Sequence, residues 1–363
     1  MSMSSRTIRA LALATAALVA STAMAACGSQ EEDTKTAAEA AAGNAPEAST
    51  LKLGYFPNIT HAPALVGVNK KLYEEKLGSG TKLETKTFNA GPNAIEALLS
   101  GAIDATYIGP NPAINGWSKS KGEALKIIAG STSGGAGLVV KEGINSPADL
   151  KGKKIATPQL GNTQDVALRA WLKQNGLNAD TSGGGDVSVL PQDNATAIQA
   201  FTQGTIDGAW VPEPNYSKLI IEQKAKVLVD EKTLWPNQEF VTTHLIVSQK
   251  FLKEYPGTVK KLVEGHIASV EYIKANDAEA QKAANAQLED LTSKPLKDEI
   301  LKAAFANLKF TYDPIASSLY TSAKHAEDVG LLDPVDLKGI YDLTLLNELL
   351  KAKGLPAVSD AAA

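Results

Sequence analysis

A segment of this chain occurs twice, and the repeat restricts the fold more than any other feature. Residues 93–112 read NAIEALLSGAIDATYIGPNP, and residues 196–214 read TAIQAFTQGTIDGAWVPEP. Six residues match at a constant separation of 103 positions, among them Gly101 and Gly204. Each copy predicts a helix with a glycine at its C-terminal end, then a short strand and a proline-containing loop. The chain therefore contains two related units.

The start of each repeated helix is predicted from a pair of polar residues. Asn93 with Glu96, and Thr196 with Gln199, have the spacing of a capping box. In that motif the first side chain accepts a hydrogen bond from an amide of the new helix and the second reaches back. We therefore expect one helix to begin at each pair.

The similarity extends upstream at the same separation and defines two lobes. Residues 51–65 match residues 154–168, and both segments predict a strand, a polar loop and an amphipathic helix. Each unit thus has the order β-α-β-α-β, which predicts an α/β lobe with a mostly parallel sheet. The strands at 138–140 and 245–247 are expected to pair and to form a two-strand hinge, with a central cleft between the lobes.

These elements give a division of the whole chain. The expected parts are a signal peptide at 1–26, a tether at 27–50, a first lobe from 51–144 and 239–363 with the C-terminal helices, and a second lobe at 145–238. The first 26 residues have a basic start, an apolar run shorter than a membrane span and small residues before Cys27. The tether is polar and low in complexity, and it is expected to be flexible or to form a short alanine-rich helix. The folded body is expected to begin near Leu51.

Charge and cysteine content exclude several classes of protein. The net charge is −4, whereas nucleic-acid binding requires a basic surface. Cys27 is the sole cysteine, so neither an intrachain disulfide nor a cysteine-based metal site is expected. No pair of histidines has metal-ligand spacing, and no Ser-His-Asp order is present. We expect no metal, no cofactor and no nucleic-acid partner, and we expect a monomer.

The predicted cleft favours an anionic ligand. The loops at the carboxyl ends of the strands line such a cleft, and several lead into helices predicted to begin at Thr60, Asn93, Thr163 and Thr196. Unpaired amides and the positive end of the helix dipole attract anions to these positions. Arg169 is the only arginine after the leader and is expected at the surface, so a bidentate arginine clamp is not expected. A singly charged oxyanion such as a sulfonate or nitrate fits best.

Several side chains have two interpretations. His61 either contacts the ligand or caps a helix, and Trp210 either covers an alkyl group of the ligand or packs in the core. Glu213 either accepts hydrogen bonds from loop amides, or pairs with a ligand ammonium or a partner. The candidate ligand-binding residues are Asn58, Thr60, His61, Gly91, Pro92, Asn93, Asn111, Ser131, Thr132, Ser133, Gly161, Asn162, Thr163, Trp210 and Glu213.

Five segments resemble the solute-binding proteins of ABC importers for nitrate, taurine and aliphatic sulfonates. They are LKLGYFPNITHAPAL, AGPNAIEALLSGAIDATYIGPNPAI, STSGG, SPADLKGKKIATPQLGNTQDVALRAWL and IDGAWVPEP. The resemblance covers residues 51–349 and is strongest to the aliphatic-sulfonate branch. It implies a periplasmic-binding-protein type II fold that delivers its solute to an ABC permease and is not an enzyme. The position of Cys27 resembles a lipobox, in which the cysteine is lipidated and anchors the protein outside the cytoplasmic membrane, although Met24 departs from the usual leucine. The alternatives are an enzyme of the same fold acting on a pyrimidine or thiamine precursor, and a binder of nitrate, taurine or a thiamine precursor.

Overall fold

The computed structural model describes residues 45–361. The predicted signal peptide, Cys27 and most of the predicted tether lie outside the described residues. Residues 45–50, assigned to the tether from sequence, are already part of the fold. Ala48 is buried, its amide donates to Thr258 Oγ1 (2.8 Å), and its carbonyl accepts from Thr81 Oγ1 (2.6 Å). The folded body therefore begins a few residues before Leu51.

Strands and helices alternate through the first two thirds of the described chain. The strands are β1 Thr50–Tyr55, β2 Lys82–Thr87, β3 Ala105–Ile108, β4 Leu125–Gly134, β5 Ala136–Val140, β6 Lys154–Thr157, β7 Ser188–Pro191, β8 Gly208–Pro212, β9 Lys226–Asp230, β10 Val241–Ser248 and β11 Leu308–Phe310. The α-helices are α1 Ala62–Asn69, α2 Leu72–Leu77, α3 Gly91–Leu99, α4 Pro110–Lys119, α5 Thr163–Gln174, α6 Asn194–Thr202, α7 Asn215–Gln223, α8 Gln249–Glu254, α9 Pro256–Ala275, α10 Asp277–Thr292, α11 Asp298–Ala306, α12 Ala316–Asp328 and α13 Thr344–Ala352.

The strands form two sheets with the same internal order, as the repeat predicts. The first sheet has the order β2-β1-β3-β10-β4-β11, and the second has the order β7-β6-β8-β5-β9. In each sheet the first three of these strands are parallel, and the fourth is antiparallel to both of its neighbours. We call the part built on the first sheet the first lobe and the part built on the second sheet the second lobe. The predicted α/β fold with two lobes is confirmed.

The antiparallel strand of each sheet arrives from the other lobe. β4 ends at Gly134 in the first sheet, and β5 begins at Ala136 in the second. Gly134 and Gly135 both have positive φ angles (82° and 70°), a conformation that glycine adopts without strain. The return connection runs from β9 through residues 231–240 to β10. The lobes are therefore joined by two crossings.

The predicted pairing across the crossings is wrong. Residues 138–140 pair with β8 and β9, whereas residues 245–247 pair with β3 and β4, so each segment lies in a different sheet. The physical reason is that each crossing strand completes the sheet that it enters instead of pairing in the gap between lobes. The change of sheet occurs at 135, so β5 belongs to the second lobe although the sequence boundary placed it in the first.

The repeated turn has the same hydrogen bonds in both lobes. Asp104 Oδ2 accepts from the amide of Lys52 (2.8 Å), and Asp207 Oδ2 accepts from the amide of Lys154 (2.9 Å). Gly101 and Gly204, which follow the repeated helices, have φ angles of 73° and 77°. The repeat thus preserves the residues that connect each helix to the next strand.

The helix starts differ from the capping-box prediction. α3 begins at Gly91, two residues before Asn93, with Ala90 at its N-cap and no side-chain capping bond. α6 begins at Asn194, and its N-cap is Asp193, whose carboxylate accepts from the amide of Thr196. The prediction failed because α3 begins without a side-chain cap and because Asp193, three residues before Thr196, caps α6. Residue spacing alone does not select between these starts.

Each lobe has its own apolar core. The largest cluster lies in the first lobe and includes Leu51, Leu53 and Ile246, and two smaller clusters lie on the two faces of the second sheet. Between residues 45 and 361 no helix has the length and apolar character that a membrane span requires. The same residues contain no group of three or more His, Cys, Asp or Glu side chains arranged to hold a metal.

Candidate functional site

A cavity of about 400 Å³ lies between the two lobes. Its first-lobe wall comprises Phe56, Pro57, Asn58, Thr60, His61, Phe88, Asn89, Gly109, Thr242 and Thr243. Its second-lobe wall comprises Pro158, Asn162, Thr163, Gln164, Asp193, Asn194, Ala195, Ile198, Pro212, Pro214, Asn215 and Lys218. The volume is in the ordinary range for small-molecule sites.

The amino ends of several helices meet at this cavity. The first turns of α5, α6 and α7 contribute Thr163, Asn194 and Asn215, and the single turn before α1 contributes Thr60. The first amides of a helix have no partner within the helix, and the dipole is positive there. Helix amino ends therefore meet at the cavity, as expected from the sequence. The set differs in two ways, since α7 also contributes and the first residues of α3 do not line the cavity.

The antiparallel strand β10 adds two threonines to the same edge, and the hydroxyl of Thr242 already donates to the carbonyl of Gly134. His244 pairs with Ile108 at the carboxyl end of β3, so the amino end of β10 lies beside it. Thr242 and Thr243 therefore reach the cavity from the first lobe. Sequence reasoning missed both because it considered only loops that follow parallel strands.

His61 is a neutral hydrogen-bond donor at the cavity wall. Its ring stacks on Phe56 with 4.4 Å between the ring centroids, and its Nδ1 accepts from the amide of Phe56 (3.3 Å). The proton of the neutral ring is therefore on Nε2. Burial lowers the pKa of His61 to about 3, so the ring stays uncharged at neutral pH. His61 thus offers an N–H without a positive charge.

Asn58 and Thr60 shape the loop that holds His61. Asn58 Oδ1 accepts from both the amide and the hydroxyl of Thr60, each at 3.0 Å. Thr132 Oγ1 donates to the carbonyl of Thr60 (2.7 Å) from the neighbouring strand β4. These hydrogen bonds fix residues 58–60 of the loop, whose remaining polar groups toward the cavity are the Asn58 amide nitrogen and the backbone.

The start of α5 is held by a buried ion pair. Asp165 accepts from the amide of Gly161 (3.0 Å), from Thr157 Oγ1 (2.8 Å) and from Arg169 Nε (3.1 Å). Arg169 also donates to the carbonyl of Asp180 (2.6 Å) and is 2% exposed. The expectation of a surface arginine is therefore wrong, because Asp165 and loop carbonyls satisfy its charge in the interior. Arg169 does not line the cavity.

Two hydroxyls on opposite walls have no partner in the described part of the chain. Thr163 Oγ1 in the second lobe and Thr243 Oγ1 in the first are buried and unpaired, and both residues line the cavity. Buried polar groups in proteins nearly always form hydrogen bonds. Each hydroxyl has a proton to donate, and the oxygen itself has almost no accessible surface in this structure. The cap of the same helix is different, since Asn162 Oδ1 already accepts from the amide of Thr163 (3.2 Å).

One cation and one carboxylate line the second-lobe wall. Lys218 lies in the first turn of α7 and is half-buried, and its ammonium group forms no hydrogen bond or ion pair with the residues from 45 to 361. Asp193 caps α6 through Thr196, and these hydrogen bonds lower the pKa of Asp193. Sequence reasoning missed both. Lys218 could have been found from its position in the sequence, because it lies one helical turn after the proline loop that ends β8.

Apolar side chains cover the rest of the surface. Phe56 and Phe88 contribute from the first lobe and Ile198 from the second, together with prolines such as Pro158 and Pro212. Phe88 directly follows β2, at a strand end where the sequence analysis had predicted polar loop residues. The cavity therefore combines polar donors with an apolar surface large enough for a short hydrocarbon group.

Several predicted site residues lie outside the cavity wall. Gly91, Pro92 and Asn93 form the first turn of α3, and a Cβ at Gly91 would lie 2.2 Å from Pro112 Cγ, so Gly91 packs within the first lobe. Asn111 Nδ2 donates to the carbonyl of Ser322 (3.3 Å).

The predicted serines and threonine of β4 are also used internally. Ser131, Thr132 and Ser133 are buried in the sheet, and Ser133 Oγ accepts from the amide of Phe240 (3.2 Å). Gly161 precedes α5, and its amide is bonded to Asp165. None of these four residues lines the cavity. His244 is likewise buried beside Pro314, with 3.1 Å between Nε2 and the carbonyl.

Trp210 lies in the core of the second lobe instead of along the cavity. It is fully buried, packs against Trp171 and donates from Nε1 to Glu231 Oε2 (2.7 Å). Its side chain points to the face of the second sheet that α5 covers, which is why it cannot reach the ligand space. Burial raises the pKa of Glu231 to about 7.

Glu213 has the first of its two predicted roles. The carboxylate accepts from the amide (3.1 Å) and hydroxyl (2.7 Å) of Ser217 at the start of α7. Asn307 of the first lobe donates to the same carboxylate (2.7 Å). Burial raises the pKa of Glu213, and these hydrogen bonds oppose that effect. Glu213 thus connects a loop of the second lobe to the first lobe beside the crossing at Gly135.

The sequence of this chain is similar to those of several known proteins. A model of the NMT1-like family matches residues 44–288, which is more than half of the chain. The chain belongs to the NMT1-like family. A putative binding protein of Brucella abortus (strain 2308) is 30% identical over 250 residues, covering 68% of this chain and 72% of that protein. The taurine-binding periplasmic protein of Escherichia coli (strain K12) is 29% identical over 189 residues, covering 52% and 57%.

Solved structures share the fold of this NMT1-like chain. The alkanesulfonate-binding protein SsuA from Xanthomonas axonopodis pv. citri, bound to MOPS, has a TM-score of 0.69 at 21% identity and covers 82% of this chain and 99% of that one. The periplasmic nitrate-binding protein NrtA from Synechocystis PCC 6803 has a TM-score of 0.72 at 17% identity, with coverages of 86% and 91%. The fold is therefore that of periplasmic binding proteins. With its relatives named as binding proteins, the chain is a solute-binding protein and not an enzyme.

Proposed function

We propose that this solute-binding protein captures an aliphatic sulfonate in the cavity between its lobes and delivers it to an ABC permease. The observation that carries the proposal is the composition of the cavity wall. Helix amino ends, the neutral His61 N–H and the unpaired hydroxyls of Thr163 and Thr243 lie around the same space as Phe56 and Phe88. Polar donors suit an anionic head group, and the aromatic side chains suit its hydrocarbon part.

The absence of an arginine clamp supports a singly charged head group. Arg169 is the only arginine between residues 45 and 361, and its charge is paired with Asp165 away from the cavity. Phosphate and carboxylate are commonly bound by bidentate arginine. A sulfonate spreads one negative charge over three oxygens, so separate N–H and O–H donors, with Lys218 nearby, can satisfy it.

A second candidate is the zwitterion taurine. Asp193 lines the second-lobe wall, and the side-chain oxygen of the adjacent Asn194 is buried without a partner in the described residues. Both groups accept hydrogen bonds and would favour an ammonium group. The relative from Escherichia coli named for taurine binding supports the same candidate.

Thermal unfolding of the purified protein with a panel of ligands tests the proposal. The panel contains ethanesulfonate, taurine, nitrate and sulfate, with ethylammonium and ethanol as controls for charge sign and for apolar binding. A ligand at about 100 times its Kd stabilises the folded state by ~2.7 kcal/mol. We expect ethanesulfonate or taurine to raise the melting temperature most. The proposal fails if nitrate or sulfate exceeds both, or if ethylammonium stabilises the protein more than any anion.

Delivery requires that the liganded form differ from the free form. In this structure the lobes contact each other through the Asn115 Nδ2 hydrogen bond to the Gly161 carbonyl (3.4 Å) and through the ion pair of Lys297 with Glu222 (2.8 Å). A ligand that touches both walls favours this closed arrangement by its differential affinity. The closed arrangement is the form that we propose the permease recognises.

We also propose that the protein is exported and anchored by a lipid on Cys27. The supporting features are the leader of residues 1–26, the lipobox-like position of Cys27 and the periplasmic location in the name of the taurine-binding relative. Cys27→Ser should release the protein from the membrane fraction without changing ligand affinity, because Cys27 precedes the folded body. Unchanged membrane retention would contradict the anchor.

A further inference from the structure

Gly109 and Thr163 approach each other across the boundary between the lobes. Gly109 directly follows β3 in the first lobe and is the N-cap of α4, and Thr163 is the first residue of α5 in the second lobe. A Cβ placed on Gly109 would lie 2.5 Å from Thr163 Oγ1. Ordinary contacts of a Cβ atom begin near 3.4 Å. The structure therefore has room for a hydrogen atom at this position but not for a methyl group.

Backbone conformation does not explain the glycine. Gly109 has φ −70° and ψ 161°, an extended conformation that any residue adopts without strain. Its own lobe does not explain it either, since the nearest atom of the first lobe to the same Cβ is the carbonyl oxygen of Thr242 at 3.6 Å. The side chain is excluded only by the second lobe, and only while the two lobes are in contact.

Neighbouring contacts place this approach in a continuous seam. Asn115, six residues further along α4, donates to the carbonyl of Gly161 (3.4 Å), and a Cβ on Gly91 would lie 3.3 Å from Asn162 Oδ1. Residues 161–163 of the second lobe thus rest against the amino ends of α3 and α4. The seam borders the cavity, because Gly109, Asn162 and Thr163 all line it.

We infer that Gly109 is a positioning residue that lets the lobes close far enough to bring the Thr163 hydroxyl to the ligand. This inference rests on the proposed function. A methyl group at 109 would either hold the lobes apart or force Thr163 into another rotamer, and a threonine near a helix start has few to choose from. In both cases Thr163 Oγ1 moves from its place at the cavity wall.

Calorimetric titration with ethanesulfonate and taurine tests the inference in a double-mutant cycle of Gly109→Ala and Thr163→Ala. Gly109→Ala should weaken binding by about tenfold or more, as expected for an overpacked contact. Thr163→Ala removes the clashing oxygen and leaves the next atom 3.6 Å from the new methyl group. In that background, adding Gly109→Ala should change the affinity by less than about twofold. Gly80→Ala is the matched control, because the nearest atom to its Cβ is 3.9 Å away.

The cycle separates closure from a direct effect on the ligand. If the methyl group at 109 simply filled the cavity, Gly109→Ala would weaken binding in the Thr163→Ala background as much as in the wild type, and the two penalties would add. Additive penalties, or full affinity in Gly109→Ala alone, would overturn the inference.

A second measurement tests the seam independently of the ligand. Spin labels at Lys119→Cys in the first lobe and Lys151→Cys in the second, in a Cys27→Ser background, report the distance between the lobes by pulsed electron paramagnetic resonance. Gly109→Ala should reduce the population with the shortest distances, and adding Thr163→Ala should restore it. If neither sulfonate binds the wild type, the proposed function fails. The inference about Gly109 fails on its own evidence if Gly109→Ala leaves the distribution of distances between the lobes unchanged.

Discussion

Two adjacent residues at the start of α5 should affect different properties when they are changed. Asn162 Oδ1 accepts a hydrogen bond from the amide of Thr163, so it caps the helix. Thr163 Oγ1 is buried, lines the cavity and has no partner in the described residues. Asn162→Ala removes a bond that exists in the free protein, whereas Thr163→Val removes a hydroxyl and keeps the shape of the side chain.

The magnitudes follow from these contacts. Loss of an N-cap side chain costs ~1 kcal/mol, which corresponds to a decrease of about 1.5 °C in the melting temperature when the unfolding entropy is ~2.1 cal/mol/K for each of roughly 310 folded residues. Removal of an unpaired buried hydroxyl costs nothing in the free protein and can stabilise it by ~1 kcal/mol, because the desolvated group had no partner. A hydrogen bond to a charged ligand contributes ~1.5–3 kcal/mol, so Thr163→Val should weaken anion binding roughly 10- to 150-fold.

The assay combines thermal unfolding of the free proteins with calorimetric titration of ethanesulfonate and taurine. Thr202→Val is the control, since its exposed hydroxyl on α6 donates to the carbonyl of Ile198 (2.9 Å) and the residue does not line the cavity. We expect Thr163→Val to melt at or above the wild-type temperature with reduced affinity. The reasoning is refuted if Thr163→Val melts as low as Asn162→Ala or binds both sulfonates with wild-type affinity.

Three further predictions concern charged and titratable groups. Lys218→Gln should weaken sulfonate binding about three- to tenfold and reduce its salt dependence, measured by calorimetry at two ionic strengths, whereas Lys151→Gln at the surface should change neither. Because burial lowers the pKa of His61 to about 3, sulfonate affinity should not increase when the pH falls from 8 to 5; a tenfold increase would show a charged imidazole. Burial raises the pKa of Glu231 from 4.5 to about 7, so the folded state keeps a proton that the unfolded state loses, and the free energy of unfolding decreases by ~3 kcal/mol as the pH rises from about 4.5 to 7. Glu231→Gln should remove this contribution to the pH dependence of the free energy of unfolding. The prediction is contradicted if chemical denaturation gives the same difference in unfolding free energy between the variant and the wild type at pH 4.5 and at pH 8.

The sequence was sufficient for the architecture because the repeat contains the residues that connect its elements. Gly101 and Gly204 end their helices with positive φ angles, and Asp104 and Asp207 accept from the amides of equivalent strands. Each of these roles depends on contacts within one unit, so matching residues imply matching structures. The pairing of 138–140 with 245–247 failed because it depends on which sheet each strand enters, and local pattern does not determine that.

The candidate site was predicted less completely for a related reason. Loops such as the one containing His61 were found because strand ends and helix starts can be read along the chain. Trp210 was expected either beside the ligand or in the core, and it lies in the core. The sequence could not decide between the two because periodicity does not show which face of a central strand is covered by α5. Lys218 and Thr243 were missed because they reach the cavity from a first helical turn and from an antiparallel strand, and both positions depend on tertiary structure.

A crystal structure of the wild-type protein grown with ethanesulfonate would show whether the cavity binds the sulfonate through the proposed donors. We expect one sulfonate between the lobes, with its oxygens within hydrogen-bond distance of Thr163 Oγ1, Thr243 Oγ1 and His61 Nε2. Its ethyl group should lie against Phe56 or Phe88. A sulfonate bound outside the cavity, or inside it with its oxygens facing the aromatic side chains and none of these three donors within 3.5 Å, would contradict the account.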